Sequence, residues 1–186
     1  MGLDAISQRQ SPLSLREPAP GESALQAMLT AAMCAPDHGR LRPWRFIMIS
    51  GDDRRSFGQV LADALQSRQP SATPAALERE CAKALRAPLI VVAVAKVAQH
   101  QGVPAIEQII AAGVAASNML VAAHELGFGG MWRTGAAAYD PGVKSALGLA
   151  EEDAIVGFLY LGTPDKRPPP RTLPPFDAFV SHWGRQ

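Results

Sequence analysis

Cysteine is scarce in this chain: of its 186 residues two are cysteines, Cys34 and Cys81. They lie far apart, with no metal-like spacing and no Cys/His cluster around them, which argues against both a disulfide scaffold and a zinc centre; no metal is expected. An excess of charge of one sign is missing as well. Lys and Arg total 18 against 17 Asp and Glu, a weak overall field that gives no support to a nucleic-acid or anionic-membrane partner, so any anion site must be local. The N-terminus carries Asp4 and Arg9 early and no apolar h-region. The longest apolar stretch, residues 109–123, falls short of the roughly 18 residues a membrane span needs. The expected location is the cytoplasm. No internal repeat is present, and no low-complexity segment longer than one proline run. At this length a single domain over residues 1–186 is expected, with an N-terminal arm at 1–20 and a proline-rich C-terminal extension at 164–186.

What is there is organised around residues 107–135, EQIIAAGVAASNMLVAAHELGFGGMWRTG. Between Ile109 and Ala123 the sequence is apolar nearly all round, interrupted by Gly113, Ser117 and Asn118. A helix without a wet face is buried on every side, and its many alanines give it a thin surface suited to a central or interface position. His124 and Glu125 restore polarity, Gly127 offers a left-handed C-cap residue, and Gly129-Gly130 follow, where the chain is sharply bent or closely approached by something flat or bulky. A core helix with a tight turn accounts for the helix but leaves Trp132, Arg133 and Thr134 unexplained.

Upstream, residues 22–34 place Leu25, Met28, Leu29, Ala32 and Met33 on one face of an amphipathic helix that Pro36 ends. The run WRFIMI from Trp44 reads as a strand, followed by a helix across residues 57–65 and a polar loop to Thr73. Thr73-Pro74 is an N-cap and N1 pair for a helix to about Leu85. LIVVAVA, residues 89–95, is a continuous apolar run expected of a strand covered on both faces. Asp140-Pro141 caps a short helix to Leu147, and residues 155–161 form another interior strand that Gly162 breaks. The tail carries Lys166, Arg167 and Arg171 among prolines, then Phe176, Phe179, Val180 and Trp183, apolar residues that need a surface on this domain or on a second subunit.

Three polar clusters are suited to an anion or a polar aromatic ligand: Arg9-Gln10-Ser11, the loop from Asp37 to Arg42 with His38, and Trp132-Arg133-Thr134. Arginine beside serine offers guanidinium and hydroxyl donors for a phosphate, although a polar arm near a terminus is more often merely solvated. His38 is a donor to a ligand or a bland loop histidine. Lys166 and Arg167 close a phosphate site or keep the tail soluble.

Taken together, the motifs resemble the flavin-dependent nitroreductase family, and most closely its small YdjA-like NAD(P)H nitroreductases. The likeness runs along nearly the whole chain: the Arg9-x-Ser11 arm, EPAP from Glu17, APDH from Ala35, PWRF from Pro43, RAPLI from Arg86, GFGGMWRTGA from Gly127 and VGFLYLGTP from Val156. The resemblance implies an α+β fold, a central mixed β-sheet sandwiched by α-helices, in a domain-entwined homodimer with two FMN sites at the subunit interface. It implies that Arg9, Gln10 and Ser11 contact FMN, the arginine and serine near its phosphate. It also implies that Cys34 and His38 face the flavin of the partner subunit, and that Trp132, Arg133 and Thr134 line the flavin from the glycine turn, with a planar ring against Gly129-Gly130.

Two departures stand out, since the relatives usually have arginine where this chain has Gln10 and Cys34, so two cationic contacts to FMN are missing. The implied activity is hydride transfer from NADH or NADPH to FMN and onward to a small acceptor such as a nitroaromatic or quinone, by ping-pong kinetics and with no catalytic side chain. The alternative is a non-catalytic flavin-binding or storage protein.

Overall fold

The computed structural model describes residues 3–166, 168–169 and 172–184. Its centre is β3 (Leu89–Ala95), buried at every position. Alternate side chains of this strand enter different cores. Leu89, Val91 and Ala93 meet Met28 and Ala32 of helix α2 (Glu22–Met33) and Ala115 and Met119 of α5 (Ala105–Glu125). Ile90, Val92 and Val94 meet Phe57 and Leu61 of α3 (Asp53–Arg68) and Val143 of α6 (Pro141–Ala146). The two-residue period sends neighbours to opposite faces. With helices on both faces every position is worth keeping apolar, at roughly 1.5–3 kcal/mol per large aliphatic side chain withdrawn from water. The LIVVAVA run has this physical origin.

On one side β3 pairs with β2 (Trp44–Ser50), from Trp44↔Ala95 to Ser50↔Leu89. On the other it pairs with β5 (Ala154–Pro164). Tyr160 of β5 pairs both with Ile90 of β3 and with Met131 of β4 (Gly129–Arg133), so β5 lies between those two strands. The short β1 (Leu15–Arg16) pairs at the far end of β5, Leu15↔Pro164. Each described pairing is antiparallel, which corrects the expected mixed sheet. The reason lies in the connections. Two helices, α3 and α4 (Pro74–Ala82), join β2 to β3 and return the chain to the end where β2 finished. A single helix, α5, joins β3 to β4, so those two strands run the same way but β5 stands between them.

The helix starts follow local chemistry. The Thr73 hydroxyl accepts from the Ala76 N–H with Pro74 in the first turn, and the Asp140 carboxylate accepts from Val143 N–H with Pro141 likewise placed. Asp140 is also ion-paired to Arg68 at the end of α3. Three boundaries differ from expectation. The helix expected across 57–65 starts at Asp53 and ends at Arg68. The one expected to reach Leu85 stops at Ala82 and tightens into a 3-10 turn, Lys83–Leu85. Gly162 does not break β5: the strand continues to Pro164, and a Cβ at 162 would stand 2.6 Å from Pro88 Cδ. That glycine admits Pro88 across the strand.

Helix α5 corrects two expectations. By length and composition it is apolar enough to cross a membrane, yet here it lies along the sheet and α2, where Asn118 Nδ2 donates to Ala31 O at 3.2 Å. Nor is it buried all round. Ala111, Ala112, Ala115, Ala116, Met119 and Ala123 are buried, whereas Ile106 and Ile110 are 60% and 57% exposed. Ser117 is exposed and Gly113, Val114 and Val121 are half-buried on the same side. An apolar stripe therefore remains open along one chain. The tail residues Phe176, Phe179, Val180 and Trp183 are exposed too, while Arg167 and Arg171 lie outside the described residues.

Candidate functional site

The chain leaves α5 through a glycine cap. Gly127 has φ +85°, its N–H donates to His124 O at 3.0 Å, and Phe128 N–H donates to Ala123 O at 2.8 Å. The expected C-cap is present, and it delivers the chain directly into β4. Gly129 and Gly130 are strand residues and make no bend, a correction to the turn expected there. Their missing side chains have a cause within the chain as well. A Cβ at Gly129 would stand 2.6 Å from Leu15 Cδ2 and 2.9 Å from Pro12 Cγ, and one at Gly130 would collide with Leu120. The flat or bulky neighbour expected against these glycines is the arm and α5.

Between the arm, the end of α5 and the start of β4 lies a cleft of about 490 Å³. Arg9 and Gln10 line it from the arm, His124 from α5, Gly129 and Gly130 from β4, and Pro164 from the end of β5. Arg9 brings the cation. The helix end here is the carbonyl end, negative in its dipole, so among the described residues lining the cleft it is the arm that attracts an anion. Among the described residues β4 pairs on one edge alone, with β5. Its other edge presents main-chain N–H and C=O groups, and those donors run from the cleft at Gly129 to Arg133.

Some of the residues singled out in the sequence meet here and others do not. Ser11 is exposed, next to Gln10 on the arm. Trp132 turns to the α5 face of the sheet, its indole N–H donating to Val156 O at 3.2 Å. Arg133 and Thr134 border a separate recess on the α3 face. Cys34, exposed, closes the end of α2, its N–H donating to Ala31 O. His38 begins a 3-10 turn, His38–Arg40, and its Nδ1 donates to the Glu107 carboxylate at 2.5 Å. Glu107 is in the first turn of α5 and His124 in the last. At about 1.5 Å per residue these ends are roughly 25 Å apart, so one chain does not bring His38 to the Arg9 cleft, and Cys34 does not line that cleft either. Lys166 is exposed beyond β5, next to Asp165, which pairs with Arg16 at 3.6 Å.

Sequence reasoning missed two features. The His38 loop is strained: Arg40 and Arg42 have φ of +54° and +50°, a conformation that costs a non-glycine residue about 1–3 kcal/mol. The Asp37 carboxylate holds it by accepting from Arg42 N–H at 2.6 Å. The second is the recess of about 230 Å³ beside Arg133, where Arg86 and Tyr160 join it. Burial pushes the Tyr160 phenol above its ordinary value of 10.0, and Arg86 and Arg133 pull back part of the way. These groups come from three separate segments, so no local motif announces them; the shared face of Phe158 and Tyr160 on β5 is the nearest signal.

Residues 6–163 match the nitroreductase family. The chain belongs to the nitroreductase family. Over 162 residues, 87% of each chain, it is 43% identical to the Escherichia coli K12 protein named "Putative NAD(P)H nitroreductase YdjA". The fold is that of a nitroreductase-like family protein from Bacillus cereus, at a TM-score of 0.84 and 22% identity, covering 98% of this chain and 96% of the other. It is also that of the FMN and NADPH-dependent nitroreductase NfnB, seen as a variant from Sphigopyxis sp. strain HMH, at a TM-score of 0.74, 16% identity and full coverage of both chains. Membership of this family makes the chain an oxidoreductase.

Proposed function

We propose that the protein is a homodimeric, FMN-dependent oxidoreductase that takes hydride from NADH or NADPH and reduces small acceptors such as nitroaromatics or quinones. The observation that carries this reading is the meeting of Arg9 and Gln10 with the open edge of β4 in one cleft, in a chain of this family. The donor set fits FMN. A guanidinium, an amide and the Ser11 hydroxyl suit a phosphate and a polyol chain, and the row of main-chain groups on β4 suits the polar edge of a flat ring. FMN, when bound, supplies the redox chemistry, accepting hydride and passing electrons to the acceptor.

This chain's residues then hold and orient. Arg9 and Ser11 grip the phosphate, Gln10 lies along the chain joining phosphate to ring, and the main chain of Trp132, Arg133 and Thr134, at and just past the end of β4, lines the ring. The dimer supplies the rest. The open stripe of Ile106, Ile110, Val114 and Val121 on α5 is self-complementary in an antiparallel pair, the isologous contact of a two-fold dimer. Such a pair brings the His38 end of one α5 beside the His124 end of the other, and so carries Cys34 and His38 to the partner's cleft. That is the support for assigning both to the flavin across the interface.

The visible spectrum of the purified protein, recorded anaerobically before and after NADH or NADPH, tests the reading. A yellow protein that bleaches with either donor is expected, with ping-pong initial rates. Bound flavin that neither donor reduces would instead indicate a storage protein. A protein that stays colourless with added FMN would overturn the assignment.

A further inference from the structure

The recess on the α3 face is unlike the Arg9 cleft in its charge. Arg68, Lys83, Arg86 and Arg133 line it, against one carboxylate, Glu80. Two of the cations are already paired: Arg68 with Asp140, and Lys83 with Glu80 at 2.5 Å. Arg86 and Arg133 have no carboxylate partner among the described residues. Between them lies Tyr160, 4% exposed, whose phenol is in the field of Arg86, Arg133 and Glu80 and whose hydroxyl has no hydrogen-bond partner among the described residues. Among the described residues no buried side-chain polar atom lacks a partner, so this hydroxyl is reached from the open space of the recess, where it is placed to bond a ligand atom. The floor is apolar, made by Leu61, Leu65 and Phe158. Two unpaired guanidiniums, one phenolic donor and an apolar floor in about 230 Å³ match a planar organic carboxylate: its oxygens accept from the arginines and Tyr160 while its ring covers the floor.

We propose that this recess binds the carboxylate of a small aromatic acceptor and makes the enzyme prefer anionic acceptors over neutral ones of the same shape. The acceptor role rests on the flavin-oxidoreductase reading; the carboxylate site itself does not. Arg133 on the rim of the recess is the last residue of β4 and Thr134 follows it, so the recess lies at the end of that strand. Arg86 is exposed and reaches the recess from the segment before β3, free of the main-chain edge, and is the residue whose loss isolates the anion contact.

Two measurements on the protein as purified decide the matter. Calorimetric titration with benzoate and with benzamide is expected to show benzoate binding at least about tenfold tighter, Arg86→Gln weakening benzoate about tenfold, and Tyr160→Phe weakening it several-fold, with benzamide unmoved in both. Equal binding of the two probes, or benzoate binding indifferent to Arg86→Gln, would overturn the proposal. In the second, 4-nitrobenzoate and 4-nitrobenzamide are compared as acceptors with NADH or NADPH. Arg86→Gln is expected to raise KM for the anion about tenfold while flavin content and the neutral acceptor's KM stay unchanged. An unchanged KM for the anion would again overturn it. If neither acceptor is reduced the oxidoreductase reading fails, and the titration still decides whether the carboxylate site exists.

Discussion

The indole of Trp132 occupies the space that a side chain at Gly157 would need: a Cβ built at 157 collides with Nε1, Cδ1 and Cε2 of the ring. The two residues lie on neighbouring strands, and the Trp132 N–H bond to Val156 O fixes the ring over the glycine. Gly157→Ala is expected to push the ring out and to cost about 1–3 kcal/mol, as overpacking of a filled core does. Urea unfolding measures the loss, and tryptophan fluorescence reports whether the ring has become wetter. An unchanged midpoint would mean that the ring moves freely.

Arg9 is the arginine among the described residues that line the cleft beside β4. Gln10 beside it is neutral, so the proposed phosphate grip rests on few charges among the described residues. Arg9→Ala is expected to purify with flavin content reduced several-fold and to regain colour at high added FMN, since a charge-assisted contact contributes about 1.5–3 kcal/mol. Full flavin content in that variant would remove Arg9 from the site.

Ile110 is 57% exposed in the middle of the α5 stripe. Burying an unpaired carboxylate there in an apolar interface is costly, so Ile110→Glu is expected to sediment as a monomer and to lose bound flavin together with the dimer. A dimer that persists in Ile110→Glu would place the contact elsewhere.

Tyr160 gives a pH test. Burial raises its phenol pKa above the ordinary value of 10.0. The folded protein therefore keeps a proton that the unfolded chain gives up first. The contribution to stability is fully present below about pH 10 and declines as pH rises from there through the folded value. Unfolding free energies between about pH 8 and 11 are expected to fall more steeply in the wild type than in Tyr160→Phe. Parallel curves would show that the phenol is not held neutral by the fold.

The strongest periodic signals were legible in the sequence. Residues 89–95 declared a strand covered on both faces because both its neighbours are helical layers, and Thr73-Pro74 and Asp140-Pro141 declared helix starts because capping is local chemistry. The start of α3 was hidden, since Asp53, Arg54, Arg55 and Ser56 carry no apolar period and the helix becomes legible at Phe57. Glycines misled for one shared reason. At 162 the glycine was read as a strand break and at 129 and 130 as a bend or a close approach; each lies inside a strand and yields its side-chain space to a neighbour distant in sequence, such as Pro12, Leu120 or Pro88. Of the candidate site, the arm and the start of β4 were legible as clusters. Their separation from His38, and the Arg86–Arg133–Tyr160 recess, depend on long-range packing that no short motif encodes.

The 25 Å between the two ends of α5, estimated from its length, has a genetic consequence. If each cleft takes its arm from one chain and its His38 loop from the other, damage at Arg9 and damage at His38 fall in different halves of every site. Two impaired proteins, Arg9→Ala and His38→Ala, unfolded and refolded together, would then form mixed dimers in which one site joins both damaged halves and the other joins both intact ones. Random pairing restores about a quarter of the sites, by the counting of a two-fold dimer. Complementation between two impaired alleles would thus be written into the length of a single helix.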